Sequence, residues 1–103
     1  MTHCIIYSPR ALRQLQTIFD WIAGEGAPEN ALRYVTEIYN YCDNLASFPM
    51  RGRVRNDLAP GLRTIGFRRR VIIAFLVTDT AVEIHGIYYG GRDYETAILD
   101  SAD

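Results

Sequence analysis

The chain has 103 residues, enough for one domain spanning residues 1–103 and built on one hydrophobic core. Its 49% apolar and 22% charged composition is that of an ordinary folded globule, and the net charge of −1 by itself points to no class of partner. No apolar run approaches the roughly 18 residues needed to cross a bilayer; the longest, Val71 to Val77, is strand length, and Met1 to Tyr7 has neither the basic start nor the long apolar stretch of a secretory signal, so the expectation is a cytoplasmic protein with no membrane association.

Residues 3–7 are β-prone and predict a short strand. Ser8-Pro9 then reads as an N-cap followed by proline at the first helical position. Leu12, Leu15, Phe19 and Ile22, with Ile18 alongside, repeat at three and four residues and predict an amphipathic helix, which Gly24-Glu25-Gly26 ends. Pro28 opens a second helix with the stripe Ala31, Val35, Ile38, Cys42 and Leu45, and Phe48-Pro49 closes it. The short link predicts an antiparallel helical hairpin.

After a loop over 49–61 the period changes to two. Leu62 to Phe67, Val71 to Val77 and Val82 to Tyr89 read as three strands, with a turn at Thr78 to Ala81. Tyr94 to Leu99 suits one or two helical turns. The order β-α-α-β-β-β predicts an α+β domain in which the helical hairpin lies on a mostly antiparallel sheet. Cys4 and Cys42 read as small buried hydrophobes; their spacing with the histidines fits no metal site, and no cofactor is expected.

All 11 basic residues are arginine, and their placement is uneven. Arg51, Arg53, Arg55, Arg63, Arg68, Arg69 and Arg70 fall between residues 51 and 70 against Asp57 alone, a local charge of +6. Such a segment suggests an anionic partner, unless individual arginines pair with nearby acids.

In this order and spacing, several segments resemble the ParE/RelE toxin superfamily. They are Tyr7-Ser8-Pro9-Arg10-Ala11, the turn Phe48-Pro49-Met50-Arg51-Gly52-Arg53, the strand pair Leu62-Arg63 and Arg70 to Phe75, and the ending Val82 to Asp93. The resemblance covers nearly the whole chain. It implies a toxin neutralised by a cognate, ParD-like antitoxin whose disordered segment folds across it, over a groove between the helical hairpin and the sheet near Leu15, Phe19 and Trp21. It leaves two modes of action, since one fold hosts both. ParE-like members inhibit DNA gyrase; RelE-like members cut mRNA on the ribosome.

RNA cleavage needs a base for the 2′-hydroxyl, an acid for the leaving oxygen and cations for the phosphorane. A RelE-like reading would use Arg63, Arg70 and Arg92 with Tyr94. The chain has no lysine to act as base, arginine stays protonated, and the acids at Asp100 and Asp103 would repel a phosphate. His85 reads as a sheet-face residue, turned away from Val82 and Ile84 and sharing a face with Glu83, Ile87 and Tyr89. The residue types therefore favour a ParE-like inhibitor without catalytic residues. Arg51, Arg53, Arg63, Arg68, Arg69, Arg70 and Arg92 are then its candidate target contacts, and the structural alternative for Arg68-Arg69-Arg70 is a solvated hairpin turn.

Overall fold

The computed structural model describes residues 3–90 and 93–100. Ser8 caps the first helix, α1 (Pro9–Gly24): its hydroxyl accepts from the Ala11 N–H at 3.0 Å, while Pro9 occupies a position where no backbone donor is missed. The buried stripe of α1 is Ala11, Leu15 and Ile18, with Ile22 packed against the core. It lies one residue away from the stripe read through Leu12, which is 46% exposed. The small Ala11 lets the helix start approach closely, and this sets the face. The second helix, α2 (Pro28–Asn44), buries Ala31, Ile38 and Cys42 as its spacing predicts, and Leu45 just beyond its end is fully buried.

Among the described residues five strands form one sheet: β1 (Cys4–Tyr7), β2 (Arg53–Val54), β3 (Arg63–Phe67), β4 (Val71–Val77) and β5 (Ala81–Tyr89), in the order β1-β5-β4-β3-β2. Only β1 runs parallel to its neighbour. The fold is thus the expected α+β arrangement on a mostly antiparallel sheet, with a two-residue strand added inside the 49–61 loop. A third helix, α3 (Tyr94–Asp100), lies where one or two helical turns are predicted.

The hairpin α1–α2 packs on one face of the sheet, against Val71, Ile73, Phe75, Val82, Ile84 and Ile87. The other face carries a smaller cluster, Leu58, Leu62, Ala74, Tyr88 and Ile98, covered by the 55–62 loop and α3. Cys4 is exposed, not buried: β1 is an edge strand whose alternation turns Ile5 and Tyr7 inward and Cys4 and Ile6 outward.

A β-bulge corrects the expected phase of β5. Ala74 pairs with Gly86 and Phe75 with Ile84, so His85 is an extra residue on its strand. Before it Val82 and Ile84 face the helices; after it Ile87 and Tyr89 do so again. His85 therefore does not share a face with Ile87; its ring is about half exposed, 3.7 Å from Glu83. The Tyr88 ring folds back over Gly86, and a Cβ at 86 would meet it at 2.6 Å, so any side chain there would force the ring to move.

Helix side chains complete what the short edge strands leave open. β1 pairs only with residues 81–84 of β5, and beyond it the Gln14 Oε1 accepts from the Ile87 N–H at 2.6 Å. β2 pairs only with residues 63 and 64 of β3, and beyond it the Tyr41 hydroxyl donates to the Gly66 carbonyl at 3.1 Å. Ser8 adds a tie at the bulge, donating its hydroxyl to the His85 carbonyl at 2.9 Å, while its N–H donates to the Ile84 carbonyl at 2.9 Å. Replacing Ser8 with alanine removes the helix cap and the bulge bond together. Denaturant unfolding of Ser8→Ala should show a loss of about 1–2 kcal/mol; a change within a few tenths would show that neither bond matters.

Candidate functional site

The cationic segment is not one surface. Arg51, Arg53 and Arg63 lie at the end of β3 where that strand begins. Arg51 and Arg53 are exposed, and Arg63 is half-buried, with its Nη1 donating to the Arg51 carbonyl at 3.3 Å. Gly52 makes this bend possible: its φ is +78°, and a Cβ would lie 2.5 Å from the Thr64 carbonyl. The exposed side chains of Phe48, Met50 and Val54 adjoin it, and Met50, Val54 and Arg63 line a shallow recess of about 530 Å³ together with Val77.

Arg68, Arg69 and Arg70 sit at the opposite end of β3, roughly 13 Å along the strand from Arg63. They form the β3–β4 turn, closed by a bond from the Arg70 N–H to the Phe67 carbonyl at 3.2 Å. Arg68 and Arg69 both have positive φ, +52° and +62°. This is the mirror-image turn that suits the twist of a hairpin, and asparagine and glycine normally occupy its centre. An ordinary side chain there costs about 1–2 kcal/mol per residue. Arg68 is partly held, by an ion pair with Glu37 and by lying 5.3 Å over the Phe67 ring centroid. Arg69 and Arg70 are exposed and make no ion pair among the described residues.

Arg55 has a different role from its neighbours. Its side chain is buried, and it donates to both oxygens of Asp57, at 3.0 and 2.8 Å, to the Tyr94 hydroxyl at 3.2 Å, and to Glu95. It fastens α3 to the 55–62 loop. Hydrogen bonds from Arg55 hold the Asp57 carboxyl below the usual carboxylate range. No spacing rule links residues 55 and 95, so the sequence carries no signal for this cluster.

The residues of an RNA-cleaving arrangement do not converge. Arg63 and Arg70 are at opposite ends of β3 and its turn, Tyr94 packs on the sheet face away from the helical hairpin with its hydroxyl engaged by Arg55, and Arg92 lies outside the described residues. The three helix residues singled out from the sequence also differ in placement. Leu15 is 2% exposed inside the core, Phe19 is half-buried and Trp21 is 54% exposed. The space between the helical hairpin and the sheet is filled by that core rather than forming an open groove. Cys42 is buried there, and burial pushes its thiol pKa up to about 12, so it is a packing residue and not a nucleophile.

A family model described as the ParE toxin of the type II toxin–antitoxin system parDE matches residues 5–94. Among solved structures, a chain of the chromosomal ParDE TA system from P. aeruginosa superimposes with a TM-score of 0.75 at 24% identity, covering 86% of this chain and 97% of that one. At that identity the likeness shows the shared fold. No curated protein is matched.

Because the folded Asp57 value is depressed, its stabilisation is present above the unfolded carboxylate range and is lost as pH falls through the folded value. Asp57→Asn should therefore melt lower than wild type near neutrality, and the gap should close as pH drops from about 6 to about 2; a gap independent of pH would show that the ion pair is not its source. Placing Asn at 68 and Gly at 69 (R68N/R69G) should raise stability by about 1 kcal/mol in denaturant unfolding, despite the loss of the Glu37 pair.

Proposed function

Since the chain belongs to the family of ParE toxins of type II toxin–antitoxin systems, we propose that it acts by binding DNA gyrase and inhibiting it, and that a cognate, ParD-like antitoxin neutralises it in the cytoplasm. What carries the inhibitor reading over RNA cleavage is the separation of Arg63, Arg70 and Tyr94 together with the engagement of the Tyr94 hydroxyl by Arg55. A cleavage site must bring acid, base and cations within hydrogen-bond reach of one phosphate. A protein-binding inhibitor needs only exposed contact residues, and arginine suits that role.

In this reading no residue is catalytic. The target contacts are Arg51, Arg53 and Arg63 at one end of β3, Arg68, Arg69 and Arg70 at the other, and Arg92. The antitoxin meets the outer surface of the helical hairpin at Phe19 and Trp21, and Leu15 contributes only by holding α1 in place.

Purified toxin added to gyrase should inhibit supercoiling and trap cleaved DNA, and equimolar antitoxin should reverse both effects. Double substitution of Arg51 and Arg53 by alanine should raise the half-inhibitory concentration about tenfold, as expected for loss of one strong contact. Induced in cells without antitoxin, the protein should trigger a DNA-damage response before translation slows. Early translation arrest with cut mRNA and undamaged DNA would overturn the proposal and assign the ribosome with its mRNA as target.

A further inference from the structure

Trp21 and the arginine turn are distant in sequence, yet a chain of ring contacts joins them. Trp21 packs on Tyr89 at 5.3 Å between centroids, Tyr89 on Tyr34 at 6.0 Å, and Tyr34 edge-on against Phe67 at 5.9 Å. Phe67 is the residue before the turn, and Arg68 covers its ring. On the other side of the turn, Val71 pairs with Tyr89 and the Gly90 N–H donates to the Arg70 carbonyl at 2.8 Å. The tip of the β3–β4 hairpin thus adjoins the aromatic cluster at the end of α1. Within the cluster the Tyr34 hydroxyl is buried and has no hydrogen-bond partner among the described residues, and the nearby positive charges of Arg68 and Arg70 act on it.

We propose that Trp21, Arg69 and Arg70, set around the Tyr34–Tyr89 ring cluster, form one docking site, which takes an acidic peptide segment of a protein partner. Two observations define the ligand. Arg69 and Arg70 present two guanidinium forks free of ion pairs among the described residues, and each fork matches a carboxylate bidentately. Trp21, more than half exposed and joined to the turn through the Tyr89 ring, offers an apolar surface to a residue near those carboxylates. The backbone adds a third: a turn whose geometry calls for asparagine and glycine holds arginines instead, at a conformational cost that no ion pair of Arg69 among the described residues offsets.

A nucleic acid fits the same surface poorly. Binding of single strands relies on open ring faces and a continuous cationic track. Here Tyr34 and Phe67 meet their neighbours edge-on, and Arg68 is already paired with Glu37, so among the described residues Arg69 and Arg70 are the free cations of this tip. The proposal rests on the reading of Arg69 and Arg70 as target contacts and adds to it the ligand class and Trp21, the antitoxin contact of that reading, as a surface that the target's segment shares.

Trp21 is the single tryptophan of the chain, so its emission reports on the site directly. The full-length protein should be titrated with hexaglutamate and, separately, with a six-nucleotide single-stranded DNA. The expected result is a saturable change in Trp21 emission with the peptide. Its affinity should fall several-fold between about 50 and 200 mM salt and about tenfold or more in Arg69→Ala/Arg70→Ala, while the Arg13→Ala control, exposed on α1, keeps it. Absence of a saturable change, equal affinity in the Arg69/Arg70 variant, or tighter binding of the oligonucleotide than of the peptide would overturn the proposal. Because gyrase is absent from this titration, its outcome is independent of the supercoiling assay, and either result can fail without the other.

Discussion

The extra residue in β5 is the constraint on which the rest of this structure hangs. β5 is the longest strand, and both the parallel strand β1 and the antiparallel strand β4 pair with it. A strict two-residue period would send Ile87 and Tyr89 to the face opposite Val82 and Ile84. The bulge at His85 restores their phase, so the whole length of β5 feeds one core beneath the helical hairpin. Ser8 fixes the bulge and the start of α1 at once, which ties the direction of the first helix to the point where the strand changes phase. The turned-over Tyr88 then builds the second cluster, on which α3 rests.

A segment that is strongly cationic in sequence need not be a cationic patch in space. β3 is only five residues long, but it separates Arg63 from the Arg68–Arg70 turn, and burial withdraws Arg55 from the surface altogether. The two groups that remain have different surroundings. One borders exposed apolar side chains, Phe48, Met50 and Val54; the other adjoins a packed run of aromatic rings. Partners reading these two ends would meet different chemistry, although both ends present the same charged residue type.

Most of the architecture was legible from residue types. Ser8-Pro9, Pro28 and the helix-ending glycine cluster mark the helices, and the switch from a helical to a two-residue period marks the sheet, because capping and amphipathicity are local. The misreadings all depend on partners remote in the chain. Leu12 and Ala11 compete for the inward face of α1, and only the proximity of the sheet selects the smaller. The isolated Gly86 inside a strand was the one available hint of the bulge, and it does not say on which side the extra residue falls. Arg55 looked like its six arginine neighbours until Glu95 and Tyr94 were brought beside it. For the candidate site the sequence supplied the arginines and Trp21 but not their grouping, since ring contacts between α1, α2 and β5 have no sequence period.

Gln14 and Tyr41 each occupy a stretch of sheet border that an edge strand leaves uncovered. The edge strands themselves are short, four residues in β1 and two in β2, so neither offers an incoming chain much main-chain pairing. Main-chain pairing is blind to sequence, whereas contacts through side chains are not. Edges this short leave recognition of a partner mainly to side chains, residue by residue, which gives closely related copies of the same architecture a physical basis for each keeping its own partner.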